Sequence, residues 1–77
     1  MKILVRNLSR KLTEQQLRAL FVSFGEVSAC TVVLDDETGI SKGFGFVEMP
    51  VAKAAHKAIA MLNGKQVQQV VMRVKAA

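Results

Sequence analysis

The sequence has no tryptophan and no tyrosine, and its only aromatic residues are four phenylalanines. It has one cysteine, so no internal disulfide can form and a thiolate metal cluster is implausible. That usage fits a reducing compartment, and the cytoplasm is the expected location. No apolar run approaches the roughly 20 residues that cross a bilayer as a helix, so no membrane partner is expected. The opening Met1-Lys2-Ile3-Leu4-Val5-Arg6 lacks the long apolar core and small-residue cleavage site of a signal peptide. The single histidine, His56, has no companions at metal-ligand or catalytic spacing and reads as a surface helix residue. Paired carboxylates, a nucleophile–base set and a phosphate-cradling loop are all missing. Neither an enzyme nor a bound cofactor is expected.

Acids are also scarce: 6 Asp+Glu stand against 11 Lys+Arg, a net charge of +5. Such a balance suits a polyanionic partner, but it also serves solubility, so the placement of the charges must decide. The length, 77 residues, and the hydrophobic share, 51%, fit one packed domain over residues 1–77.

The chain is organised around Lys42-Gly43-Phe44-Gly45-Phe46-Val47-Glu48-Met49. At a period of two it has two dissimilar faces. Gly43, Gly45, Val47 and Met49 form a small and aliphatic face that suits burial under helices. Lys42, Phe44, Phe46 and Glu48 form the other face, with two rings beside a base and an acid. Rings left on an open sheet beside a cation suit a single-stranded nucleic acid, offering a π-face to bases and positive charge to phosphates.

Taken in order, Lys2 to Leu8 alternates as a half-buried strand, with Ile3 and Val5 inward and Lys2, Leu4 and Arg6 outward. Asn7 to Lys11 reads as a polar exit loop. Thr13-x-x-Gln16 has the form of a capping box. Leu17, Leu20, Phe21 and Phe24 follow as one apolar helical stripe, with Gly25 as a left-handed stop. Val27 to Leu34 reads as a strand with Cys30, Val32 and Leu34 inward and Thr31 and Val33 outward. Asp35 to Ser41 is an acidic turn pivoting on Gly39. Pro50 suits the first turn of a second helix, whose stripe is Val51, Ala55, Ala58, Ile59 and Leu62. Asn63-Gly64 closes it, and Lys65 to Gln69 suits a short irregular strand. In a final strand, Val70 to Lys75, residues Val70, Met72 and Val74 point inward and Val71, Arg73 and Lys75 outward.

The order strand, helix, strand, strand, helix, strand joins two right-handed units through a hairpin. The expected fold is an α+β, ferredoxin-like split βαβ sandwich (βαββαβ). It has a four-stranded antiparallel sheet, two helices on one face, and the first and third strands as central neighbours. Strand parity then places Lys2, Arg6, Lys42, Arg73 and Lys75 on the open face against one acid, Glu48. The bases surround Phe44 and Phe46, which strengthens the nucleic-acid reading.

These residues resemble the RNA-recognition motif family. The run from Lys42 to Met49 is similar to its octapeptide signature at all positions but the last, where Met49 replaces a buried Phe or Tyr. Ile3-Leu4-Val5-Arg6-Asn7-Leu8 resembles its hexapeptide, and Asp35-x-x-Thr38-Gly39 and Leu62-Asn63-Gly64 match its habits. The brevity of the chain resembles single-domain bacterial members. The resemblance implies single-stranded RNA, or sometimes single-stranded DNA, laid across the sheet. It implies that Phe46 stacks on a base, Phe44 lies against sugars or between nucleotides, and Lys42 pairs with a phosphate. Lys2, Leu4, Arg6, Asn7, Glu48, Arg73 and Lys75 complete the implied surface, and Glu48 is suited either to accept from a base amino group or to pair with Arg6 or a neighbouring basic residue. The roles implied are post-transcriptional regulation or RNA chaperoning.

Two departures stand out. Leu4 occupies the aromatic position of the first strand, and Gln69-Val70 replaces the usual Gly-Arg before the last. The missing ring keeps a second reading open: a homodimer or other protein contact through Leu4, Val33, Phe44, Phe46 and Val71. Away from the face, Cys30 reads as a small buried hydrophobe. Arg10, Lys11, Arg18, Lys53 and Lys57 read as solvated charge, with Arg10 and Lys11 within reach of phosphate at the rim.

Overall fold

A computed structural model describes all residues, Met1–Ala77. The chain forms β1 (Lys2–Arg6), α1 (Glu14–Val22), β2 (Ala29–Leu34), β3 (Ser41–Glu48), α2 (Ala52–Leu62), β4 (Gln66–Val67), β5 (Val70–Val71) and β6 (Arg73–Ala76). The main sheet is four-stranded and antiparallel in the order β2-β3-β1-β6, so β1 and β3 are central neighbours as expected. Ile3, Val5, Val47 and Val74 from the sheet meet Leu17, Phe21, Ala55, Ala58 and Leu62 from the helices in one core. The helices therefore cover one sheet face and leave the other open. No helix is long and apolar enough to cross a membrane.

The α1 start follows its sequence signal. Thr13 Oγ1 accepts from the Gln16 N–H at 3.1 Å, and Gln16 Oε1 accepts from the Thr13 N–H at 3.0 Å. Such a cap stabilises a helix by about 1 kcal/mol. The expected apolar stripe is present, with Leu17 and Phe21 fully buried and Leu20 and Phe24 packed at its margin. Gly25, however, is not a left-handed stop. Its φ is +157°, and a Cβ there would lie 2.8 Å from the Ala54 Cβ, so both the backbone conformation and the close approach of α2 call for glycine.

Several expectations at element ends fail for identifiable reasons. Leu34 is 52% exposed, not core. Val32 pairs with Gly45 but Leu34 pairs with Ser41, so the register shifts and strict alternation is lost. Pro50 lies ahead of the first turn, because α2 begins at Ala52 with Val51 as its extended N-cap. That places Val51 outside the buried stripe, at 53% exposure.

The exit loop after β1 is not wholly polar either. Asn7 takes a left-handed conformation (φ 57°) and turns the chain, so Leu8 is buried out of strand parity, followed by Leu12. The Leu8 N–H donates to the Gly43 carbonyl at 2.8 Å, extending the β1–β3 seam.

The expected single strand from Val70 to Lys75 is divided in two. Val70 and Val71 pair with Val67 and Gln66 in a separate hairpin, and only β6 joins the main sheet. The turn residues Gln68 and Gln69 both have positive φ, 52° and 68°, as a tight two-residue hairpin turn demands. Val70 is consequently half-buried and Val71 44% exposed, neither of them in the main sheet.

Candidate nucleic-acid interface

The open face is built outward from β3. Its core-side residues Gly45 and Val47 are buried, which turns Phe44 and Phe46 to the uncovered side, each only half-buried. The ring centroids are 6.2 Å apart with an interplanar angle of 87°, an edge-to-face pair. The rings therefore present different surfaces to a ligand.

Leu4 on β1 and Thr31 on β2 are the register partners that flank Phe46. Leu4 supplies an apolar surface where a third ring would stand. The Lys2 Nζ stands over the Phe46 ring, 4.6 Å from its centroid, a cation–π contact. Glu48 is exposed and directly opposite Lys2 across the β1–β3 ladder.

Toward the C-terminal end of β1 the face sinks into an open depression. Leu4, Leu8, Phe44 and Val70 form its apolar part, and Arg6, Arg10, Lys42 and Arg73 line it without any carboxylate. Arg6 and Arg73 are register partners on β1 and β6, and like charges directly opposite one another are unfavourable until an anion joins them. Lys75, opposite Leu4, extends the basic edge. All five bases expected on the face are solvent-exposed.

The remaining candidate, Asn7, lines the depression, but its side-chain amide donates to the Val71 carbonyl at 2.7 Å. It thereby ties the β4–β5 hairpin to the end of β1. Leu8, Arg10 and Val70 also line the depression, although the sequence reading keeps them off the site. Val70 was placed in the core and instead forms part of the depression. Arg10, read as solvated charge within reach of the rim, donates from Nη1 to the Ser41 carbonyl at 3.1 Å. No periodic signal marks Arg10, because it sits in a loop.

Other singled-out residues lie away from the face. Arg18 donates to the Val27 carbonyl at 2.9 Å, a structural use rather than a solvated one. Cys30 is buried with its Sγ 3.6 Å from the Glu14 carbonyl. Burial, then the nearby Glu14 carboxylate, pushes its thiol pKa up, so the thiolate is disfavoured. In the β2–β3 turn, Asp35 Oδ1 accepts from the N–H groups of Thr38 and Glu37, which holds its carboxyl below the usual range.

Comparison with known proteins agrees with this geometry. The RNA recognition motif model matches residues 3–73. The chain is 41% identical over 76 residues to glycine-rich RNA-binding protein 4, mitochondrial, of Arabidopsis thaliana, covering 99% of this chain and 56% of that protein. The chain thus spans little more than half of that relative. A crystal structure of RNA-binding protein PG1 superposes with a TM-score of 0.97 and 40% identity, covering 100% of this chain and 93% of that one. A Sxl-lethal protein/RNA complex superposes with a TM-score of 0.94 and 32% identity, covering 99% of this chain and 46% of that one. The Arabidopsis relative is a plant protein named as mitochondrial, so it lends no support to the bacterial or cytoplasmic expectation. A family model that runs from β1 to the first residue of β6, with both helices and the ring-bearing β3 inside it, leaves one assignment: the chain belongs to the RNA recognition motif family.

Proposed function

We propose that the chain is a binding module, not an enzyme, and that it holds single-stranded RNA across the open face of its sheet. One observation carries this reading: two rings and five exposed cations share the face of the main sheet that no helix covers. Phe46 stacks on a base and Phe44 packs its ring against the neighbouring sugar. Arg6, Lys42, Arg73 and Lys75 are the cations placed to meet phosphates, about three of them at a time, and Glu48 accepts from a base amino group. Post-transcriptional regulation or RNA chaperoning in the cytoplasm is the role that suits such a module.

Salt dependence tests the reading. If about three of the face cations meet phosphate, log K against log salt falls with a slope near −2. Single-stranded DNA of the same sequence is the comparison that measures the contribution of the ribose hydroxyl. The missing first-strand ring favours one second reading, self-association through Leu4, Phe44, Phe46 and Val70. Salt-independent dimerisation without RNA binding is the result that selects it.

Leu4→Phe is expected to strengthen RNA binding by about 1 kcal/mol, less than a full stacking increment because the new ring is not preorganised. Leu4 pairs with Phe46 and is only half-buried, so thermal stability should barely change. The check is a titration of wild type and variant with one short pyrimidine-rich RNA at fixed salt. Unchanged or weaker binding means that RNA does not run over Leu4.

A further inference from the structure

The Lys2 ammonium stands over the Phe46 ring, 4.6 Å from its centroid. Carbon atoms in contact sit about 3.5–4 Å apart, so a base on the ring and an ammonium 4.6 Å from its centroid exclude each other. We propose that Lys2 caps the Phe46 platform in the free protein and must be displaced before a base can stack. The inference rests on the RNA reading above and adds that Lys2 both opposes and assists binding.

Three features support displacement rather than a fixed cap. Lys2 is exposed, and its flexible stem can swing without disturbing the core. Its register partner Glu48 offers the ammonium one alternative anion. The phosphate of an incoming nucleotide offers a second. Before binding, the cation–π contact opposes stacking by about two- to fivefold in affinity. After displacement, the freed ammonium contributes one phosphate contact, whose strength depends on salt. At low salt the gain outweighs the loss. At high salt the phosphate contact is screened, and the cap remains as a net penalty.

Lys2→Met tests this, because it keeps an apolar stem and removes the charge. Binding of a short pyrimidine-rich RNA is measured by fluorescence anisotropy across a salt series for wild type and variant. The variant's salt slope should be shallower by about 0.7, the share of one phosphate contact on a single strand. The two lines should cross, with the variant weaker at low salt and about two- to fivefold tighter at high salt. A variant weaker at every salt concentration makes Lys2 a simple phosphate contact and overturns the cap. A variant tighter at every salt concentration with an unchanged slope overturns the phosphate half. If neither protein binds RNA, the RNA reading itself fails and this inference falls with it.

A second measurement reports on the cap without RNA. Ring current from Phe46 should shift the Lys2 ε-methylene protons upfield in the free protein, and Phe46→Leu should abolish that shift. A Lys2 signal that is the same in wild type and Phe46→Leu overturns the cap even if RNA binds well.

Discussion

Phe46→Ala should weaken RNA binding by about 1–3 kcal/mol, roughly five- to 150-fold in Kd, while the protein stays folded. The ring lies on the open face and is only half-buried, so its removal leaves no enclosed cavity. On that face it meets the Phe44 ring and the Lys2 ammonium, and neither supports the core. The next residue gives the opposite outcome. Val47 is fully buried, and Val47→Ala should destabilise the fold by about 2 kcal/mol through lost burial and a residual cavity. Molecules that remain folded should bind RNA normally. Thermal melts and RNA titrations of both variants separate the effects. Equal loss of stability in the two would mean that the faces of β3 are misassigned.

Gly45→Ala should be among the most damaging single substitutions in β3, although it adds only a methyl group. A Cβ at Gly45 would fall inside contact distance of the Thr31 carbonyl oxygen and 3.2 Å from the Val32 Cα. These are backbone atoms of β2, so neither can step aside as a flexible side chain would. The β2–β3 ladder must part where it pairs Thr31 with Phe46 and Val32 with Gly45. Overpacking of this kind costs about 1–3 kcal/mol, and each kcal/mol is about 4–8 °C of Tm in so small a domain. Because Phe46 is the next residue, RNA affinity should fall too. Gly39→Ala is the control. Its Cβ would meet nothing within 4 Å, and only its φ of +73° opposes the change, at about 1 kcal/mol. Matching melts for the two variants would remove close approach as the reason for glycine at Gly45.

The main architecture and most of the candidate surface were legible because β1 and the Phe44–Glu48 part of β3 alternate strictly. Val5, Gly45 and Val47 face inward, so the parity of Leu4, Phe44 and Phe46 follows directly. The capping box at Thr13 was legible for a similar reason, since its two hydrogen bonds need only local spacing. Parity carries forward only while the ladder is regular. The register shift after Val32 turned Leu34 outward, and the left-handed Asn7 reset the phase so that Leu8 points inward.

The Val70–Lys75 run misled because a two-residue hairpin and a sheet strand share the same apolar alternation. What divides them is Gln68 and Gln69 at positive φ, and glutamine carries little turn signal. Arg10 and the clamp from Asn7 to Val71 depend on contacts across 31 and 64 residues of sequence, which no local pattern encodes. The cap of Lys2 on Phe46 is likewise a cross-strand contact, visible only once β1 lies beside β3.

The central claim is that the open sheet face, and not the helical side, receives single-stranded RNA. An NMR titration with short mixed-sequence RNA tests it most directly. The resonances of Phe44, Phe46, Leu4, Lys42 and Arg73 should move together and saturate, while those of the exposed helix residues Ala19, His56 and Met61 stay in place. Movement confined to the helix residues, or a sheet face that stays unchanged at saturating RNA, would contradict it.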